Sequence, residues 1–220
     1  MRVRNLAVPM LILSVAVAGC GDDKKSAADD AAAKIAKQTG LSPDAIATAS
    51  KLAEQAKNGK VDPKMLEDAR KLAEKYKSDS LKGVPKPCSI LTSSVVSDAI
   101  GGEPKKADDS ADRCSYDIEG VPNFMQDGAT PLVAPTIELR LERSSVESFN
   151  TTAGFLGGEK LSSGPGSART YQTLGGGIYS WIRSDGVRAD LQLVTIGSVT
   201  DAESIKSTLA ELAEKIDSKL

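Results

Sequence analysis

The fold turns on one stretch, Ile178-Tyr179-Ser180-Trp181-Ile182-Arg183-Ser184-Asp185-Gly186-Val187-Arg188-Ala189-Asp190-Leu191-Gln192-Leu193-Val194-Thr195-Ile196. An Asp-Gly pair between two runs of strand-forming residues is a strong short-range hairpin signal. It predicts strands over 178–183 and 187–196, joined by Ser184-Asp185-Gly186. In the second run Ala189, Leu191 and Leu193 alternate with Arg188, Asp190 and Gln192, so one side is dry and the other wet. In the first run Tyr179 and Trp181 share a side, and Ile178, Ser180 and Ile182 take the other. The two rings are either core or, if their side is exposed, a patch for a ligand or a protein.

The same period recurs upstream, where Ile137, Leu139 and Leu141 alternate with Glu138, Arg140 and Glu142. Downstream it changes to helical. Thr200-Asp201-Ala202-Glu203 reads as a capping box, and Ile205, Leu209, Leu212, Ala213 and Ile216 form one apolar stripe. Towards the N-terminus, Thr92 caps a short helix stapled by Leu91 and Val96, with Val95, Ala99 and Ile100 on the same side and Gly101-Gly102 at its end. The expected fold class is α+β, an antiparallel sheet packed by a C-terminal helix. Glycines at 157–158, 164–166 and 175–177 are expected in turns and bulges. A phosphate loop would need a lysine and a following helix, and none of these clusters has them.

Residues 26–80 are rich in Ala, Lys, Asp and Glu, a composition that favours exposed helix. Two segments repeat at an offset of twenty residues. Ser42-Pro43 opens one and Asp62-Pro63 the other, and Lys51-Leu52-Ala53-Glu54 is matched by Lys71-Leu72-Ala73-Glu74. Ile46, Ala49, Leu52, Ala53 and Ala56 make one stripe, and Leu66, Ala69, Leu72, Ala73 and Tyr76 the other. Asn58-Gly59 separates them, so a helical hairpin is expected. It would serve as a semi-rigid spacer or as an element that binds another envelope protein. Seven of the eight aromatic residues lie beyond it, and Gly83-Val84-Pro85-Lys86-Pro87 marks the boundary.

Arg2 and Arg4 precede an apolar run from Leu6 to Ala18, which reads as an export signal. A run that short, containing Pro9, falls below the about 20 residues that a spanning helix needs. Val17-Ala18-Gly19-Cys20 resembles a bacterial lipobox. Residues 1–19 are then the signal, Cys20 carries lipid, 20–80 form the anchored stalk and 81–220 the α+β domain. The expected partner of the anchor is a membrane, stably held when two acyl chains insert. The place is the cell envelope: the outer membrane if the host is Gram-negative, given Gly21 rather than Asp after the cysteine, and the outer face of the plasma membrane if Gram-positive. Of the remaining thiols, Cys88 and Cys114 read as one disulfide in an oxidising compartment, with a reactive thiol as the alternative.

Pro87-Cys88-Ser89-Ile90-Leu91-Thr92, a short helix, and then Cys114-Ser115-Tyr116 resemble a group of small bacterial lipoproteins, best populated in actinobacteria, that carry a domain of unknown function. The resemblance spans residues 85–220 and leaves out the Ala/Lys stalk. The segment from Gln126 to Pro135 and the glycine-rich stretch from Gly157 to Gly177 have no counterpart in its pattern. It implies a lipid-anchored α+β domain with Cys88 joined to Cys114, and it brings no catalytic residues.

The chain has 220 residues and no histidine. Ser-His-Asp catalysis and His-ligated zinc therefore fall away. With 28 basic against 30 acidic residues there is no global basic field, and nucleic acid is not an expected partner. Asp108, Asp109, Asp112, Asp117 and Glu119 lie near Cys114, but without the spacing of a calcium loop and among Lys105, Lys106 and Arg113. They read as solvated charge, and no metal or cofactor is expected. The function expected is a binding or structural module. The alternatives are a lipid- or peptide-binding lipoprotein and a hydrolase running on Asp/Glu, Ser/Lys or Tyr.

Overall fold

The computed structural model of the chain describes residues 48, 51, 63–124, 133–173, 175–195 and 202–220. The chain divides into two compact units, Met1–Tyr76 and Lys77–Leu220. The signal, Cys20, Ser42-Pro43, the Asn58-Gly59 break and the Thr200-Asp201 start of the capping box lie outside the described residues. So does nearly all of the first arm of the expected hairpin.

Helix α1 (Pro63–Ser80) starts at the proline expected at its first turn. Lys71–Glu67 at 2.9 Å and Arg70–Glu74 at 3.6 Å bridge successive turns on its solvated side. Such exposed pairs contribute a few tenths of a kcal/mol each, about 0.3–0.5. Along the apolar stripe Leu66 is exposed, while Ala69, Leu72 and Tyr76 are half-buried.

The second unit runs α2 (Pro87–Ile90), α3 (Ser93–Ile100), β1 (Glu103–Asp109), β2 (Arg113–Glu119), β3 (Thr136–Arg143), α4 (Val146–Phe155), β4 (Glu159–Lys160), β5 (Ala168–Gln172), β6 (Gly176–Ile182), β7 (Val187–Val194) and α5 (Ala202–Asp217). Among the described residues the strands make one antiparallel sheet in the order β1-β2-β3-β7-β6-β5-β4. The α+β class with a C-terminal helix on the sheet is as the alternation implied.

Register explains the core. Cys114 faces Leu139, Leu139 faces Leu191, Leu191 faces Tyr179, and Tyr179 faces Tyr171, so one row of large side chains crosses the middle of the sheet. Ile137, Leu141, Ala189 and Leu193 extend the same side, and all are fully buried. Helix α5 covers it over β6 and β7 with Ile205, Leu209, Leu212, Ala213 and Ile216. Each fully buried Leu or Ile contributes about 1.5–3 kcal/mol.

Gly177 is what lets α5 lie so close. A Cβ there would stand 2.7 Å from Tyr171 Oη and 2.8 Å from Ile205 Cγ2, below real contact distance. At its far end α5 is latched: Trp181 Nε1 donates to Asp217 Oδ1 at 2.9 Å, and Arg183 Nη1 donates to the Asp217 carbonyl at 2.9 Å. Trp181 can thus sit at 0 % exposure with its one donor satisfied.

Helices α2 and α3 complete this layer, α2 against β2 and β3 and α3 against β1 and α5. Thr92 Oγ1 accepts from Val95 N at 3.4 Å, and α3 closes on Gly101 at φ +78°, a conformation glycine adopts freely. Cys88 and Cys114 form a disulfide with their Cα atoms 5.0 Å apart, tying α2 to β2. The β6–β7 turn is the expected one. Gly186 N donates to Arg183 O at 3.1 Å, and Asp185 Oδ1 accepts from Val187 N at 3.1 Å. That backbone hydrogen bond, with Arg183 nearby, holds the Asp185 carboxyl below its usual range.

Tyr179 and Trp181 do share a side of β6, but it is the core side, with 1 % and 0 % exposure. A surface patch on these rings is therefore corrected to core. Their edge-to-face pair, with centroids 6.1 Å apart, packs beneath α5.

Two outcomes check this architecture. Gly177→Val is expected to lower the thermal midpoint by several degrees, for a cost of about 1–3 kcal/mol; an unchanged midpoint would contradict the close approach of α5. Reducing the disulfide should cost about 3 kcal/mol in a denaturant titration, from closure of the loop between Cys88 and Cys114. Equal midpoints with and without reductant would contradict a stabilising cross-link.

Candidate functional site

The even-numbered residues of β3, β7, β6 and β5 point away from α5. This second side is not left open. Ser145 caps α4, accepting from Ser148 N at 3.0 Å, and Phe149 and Ala153 turn inward at 1 % and 4 % exposure. Helix α4 lies beside β5, and between it and the strands is a cleft of about 200 Å³.

Cross-strand register builds its floor from two rows. Arg140, Asp190, Ser180 and Thr170 face one another in order across β3, β7, β6 and β5, and Glu138, Gln192, Ile178 and Gln172 do the same one step along. The charges are spent on each other. Arg188 Nη2 lies 3.0 Å from Asp190 Oδ2 and its Nη1 3.5 Å from Glu142 Oε1, while its guanidinium stands 5.7 Å from the centre of the Phe149 ring. Arg140 Nε donates to Glu138 Oε1 at 2.5 Å. Partial burial alone would lower the Arg140 pKa, but the hydrogen bond and charge of Glu138 outweigh it and hold the guanidinium above its ordinary value. Arg113 reaches Glu138 at 3.8 Å from the neighbouring strand.

The neutral groups are different. Thr170 is 2 % exposed and Ser180 5 %, and they face each other across β5 and β6. Among the described residues neither hydroxyl has a hydrogen-bond partner, nor do the carboxamides of Gln172 and Gln192. Leu156 and Ile178 supply an apolar wall.

Chemically the cleft can hold and orient a small polar molecule. Glu138 and Asp190 are both engaged by guanidinium groups. Beyond the lining, Glu142 pairs with Arg188, and burial pushes its carboxyl up against the pull of that guanidinium. A second depression of about 380 Å³ flanks α5, where Lys206 Nζ lies 2.7 Å from Glu159 Oε2 and 5.5 Å from the centre of the Tyr171 ring. Burial holds the Tyr171 hydroxyl above its ordinary pKa there.

Of the residues singled out in the sequence, Cys20 lies outside the described residues, Cys88 and Cys114 are joined, and Tyr179 and Trp181 are beneath α5. The acidic run near Cys114 is engaged: Asp108 by Arg113, Asp109 by Lys106, Asp112 by Lys77, Asp117 by the Thr136 hydroxyl, and Glu119 by Lys105. Among the described residues no group of three or more His, Cys, Asp or Glu is placed to hold a metal ion. Nor is any described helix long and apolar enough to cross a membrane. The cleft residues Thr170, Gln172, Arg188 and Phe149 were not foreseen as a site. Its one sequence signal was the polar run Arg188, Asp190, Gln192, which reads equally as a solvated face.

No protein-family model, no curated protein and no solved structure matches the chain. The chemistry of the cleft therefore rests on its own residues.

Arg188 is the group on which the cleft wall hangs, at 17 % side-chain exposure beside Asp190 at 21 %. Arg188→Met is expected to cost about 1–3 kcal/mol in urea titration, because it strands a largely buried carboxylate. Adding Asp190→Leu should recover most of that loss. A double variant no more stable than the single one would contradict a wall held by this pair.

Proposed function

We propose that this chain is a lipid-anchored envelope protein whose C-terminal domain is a non-enzymatic binding module, with the cleft under α4 as its site. The observation that carries the binding reading is the roof. Packed beside β5, α4 turns Phe149 and Ala153 inward and covers part of a polar sheet face, which leaves a cleft in place of a flat solvated surface. The anchoring reading is supported by the positive start, the short apolar run and Cys20 at its end, and a disulfide at Cys88–Cys114 suits an exported, oxidising setting.

On this reading residues 20–80 are a stalk, a helical hairpin that lifts the domain from the membrane surface. Its alanine-rich stripes would bury little area, so a hairpin of this composition would need a further apolar surface, such as another envelope protein or a copy of itself, to be stable. The likeness to the small actinobacterial lipoproteins around Pro87 to Thr92 fits the same assignment and supplies no activity of its own.

Cys20→Ala tests the anchor. The variant should leave the membrane fraction for the soluble one when cells are broken without detergent, while the unaltered chain stays with membranes. A variant that still requires detergent for release would overturn the lipid anchor.

A further inference from the structure

Resting on the cleft as a binding site, we infer that its occupant is a small neutral polyhydroxyl molecule, of the size of one sugar ring, held by the hydroxyls of Thr170 and Ser180. The first argument is burial. A hydroxyl on a largely covered side chain, with no protein partner, is served by whatever fills the space in front of it, water or a ligand. The cleft carries two such groups, side by side, on residues at 2 % and 5 % exposure, with their oxygens open to the cleft. Neither hydroxyl is held by the fold itself, since neither has a hydrogen-bond partner among the described residues. They gain a role if a ligand's hydroxyls complete them.

The second argument is charge. The guanidinium groups of Arg140 and Arg188 are held by Glu138 and Asp190, which leaves no free charge of either sign to neutralise an ionised ligand. A carboxylate or ammonium brought into the cleft would have to break a pair and strand its partner. What remains available is a set of neutral donors and acceptors, the two hydroxyls with the carboxamides of Gln172 and Gln192. A polyol meets such a set because each of its hydroxyls both donates and accepts. The outer oxygens of the ion pairs can accept further hydrogen bonds without losing their partners.

The third argument is size. The cleft holds about 200 Å³, less than the about 300–1,000 Å³ of sites for drug-sized ligands. A single ring fits, with its carbon side against Leu156 and Ile178, and an extended chain does not. The ring could be free or the end unit of an envelope glycan, since both present the same hydroxyls.

The test is saturation-transfer NMR on the full chain in a detergent without a sugar headgroup. The probes are methyl β-glucoside, glucuronate and glutamate, with a short glucan to separate a free ring from a chain end. The glucoside should bind saturably in the millimolar range, and glucuronate at least about tenfold more weakly. Thr170→Val and Ser180→Ala should each weaken the glucoside by about tenfold, the worth of one hydrogen bond, while the melting temperature holds or rises. Gln192→Ala, at a partly exposed position, is expected to weaken binding as well and serves if a buried variant fails to fold.

A glucoside that does not saturate the cleft, or that binds the variants as well as the unaltered chain, overturns the inference. Loss of binding accompanied by a lower melting temperature in both hydroxyl variants also overturns it, because the hydroxyls would then be structural. Glutamate bound in place of the glucoside, and lost in Thr170→Val, overturns the neutral ligand but leaves the binding module standing. The membrane release of Cys20→Ala is unaffected by any of these results.

Discussion

Strand β7 is paired on both edges, by β3 and by β6, and its side chains alternate without interruption from Val187 to Val194. Everything else depends on that alternation. The period of a strand is two, so a single register step would carry Leu191 and Leu193 into the cleft and bring Arg188, Asp190 and Gln192 under α5. The penalty for burying three polar side chains there is what locks the register, and the same lock sets Ser180 against Thr170. Core and cleft are two readings of one constraint.

The core side satisfies it with mass. Tyr179, Trp181, Leu139 and Leu191 present a broad apolar surface, α5 lies on it through the gap left by Gly177, and the Trp181–Asp217 hydrogen bond fixes the helix end. The cleft side satisfies it with pairing. Arg188 lies against Phe149 and holds Asp190, so the charged groups stay near neutral balance in a partly dry setting. The small hydroxyls of Thr170 and Ser180 and the carboxamides of Gln172 and Gln192 line the cleft without partners among the described residues. The disulfide belongs to the core side, where buried Cys114 ties α2 to β2 near the β1 edge of the sheet.

The parts that were legible in the sequence are those with a strong local period: β3, β6, β7, α3 with its threonine cap, and α5. Strand β1 was not legible, because Pro104, Lys105, Lys106, Asp108 and Asp109 are edge-strand residues, chosen to discourage pairing on the open side rather than to bury surface. Helix α4 was hidden by Asn150, Thr151, Thr152 and Gly154, all weak helix formers; it is held by the Ser145 cap and by Phe149 against the sheet. The alternation in β6 put Tyr179 and Trp181 together but could not say which side a helix would cover. The cleft had no local motif to find. Thr170, Ser180, Asp190 and Arg140 come from four strands and meet only through long-range register, which no spacing within one segment encodes.

The account rests on a division of the sheet into an apolar side that carries the fold and a polar side whose neutral groups we propose serve a ligand. A stability scan along β7 by urea titration tests it most directly. Leu191→Ala and Leu193→Ala should each cost about 2–5 kcal/mol, while Gln192→Ala, between them, should stay within about 0.5 kcal/mol of the unaltered chain. A Gln192→Ala variant as destabilised as its leucine neighbours would mean that the neutral groups of the polar side, and not only its ion pairs, belong to the fold's own stability, and the account would fail.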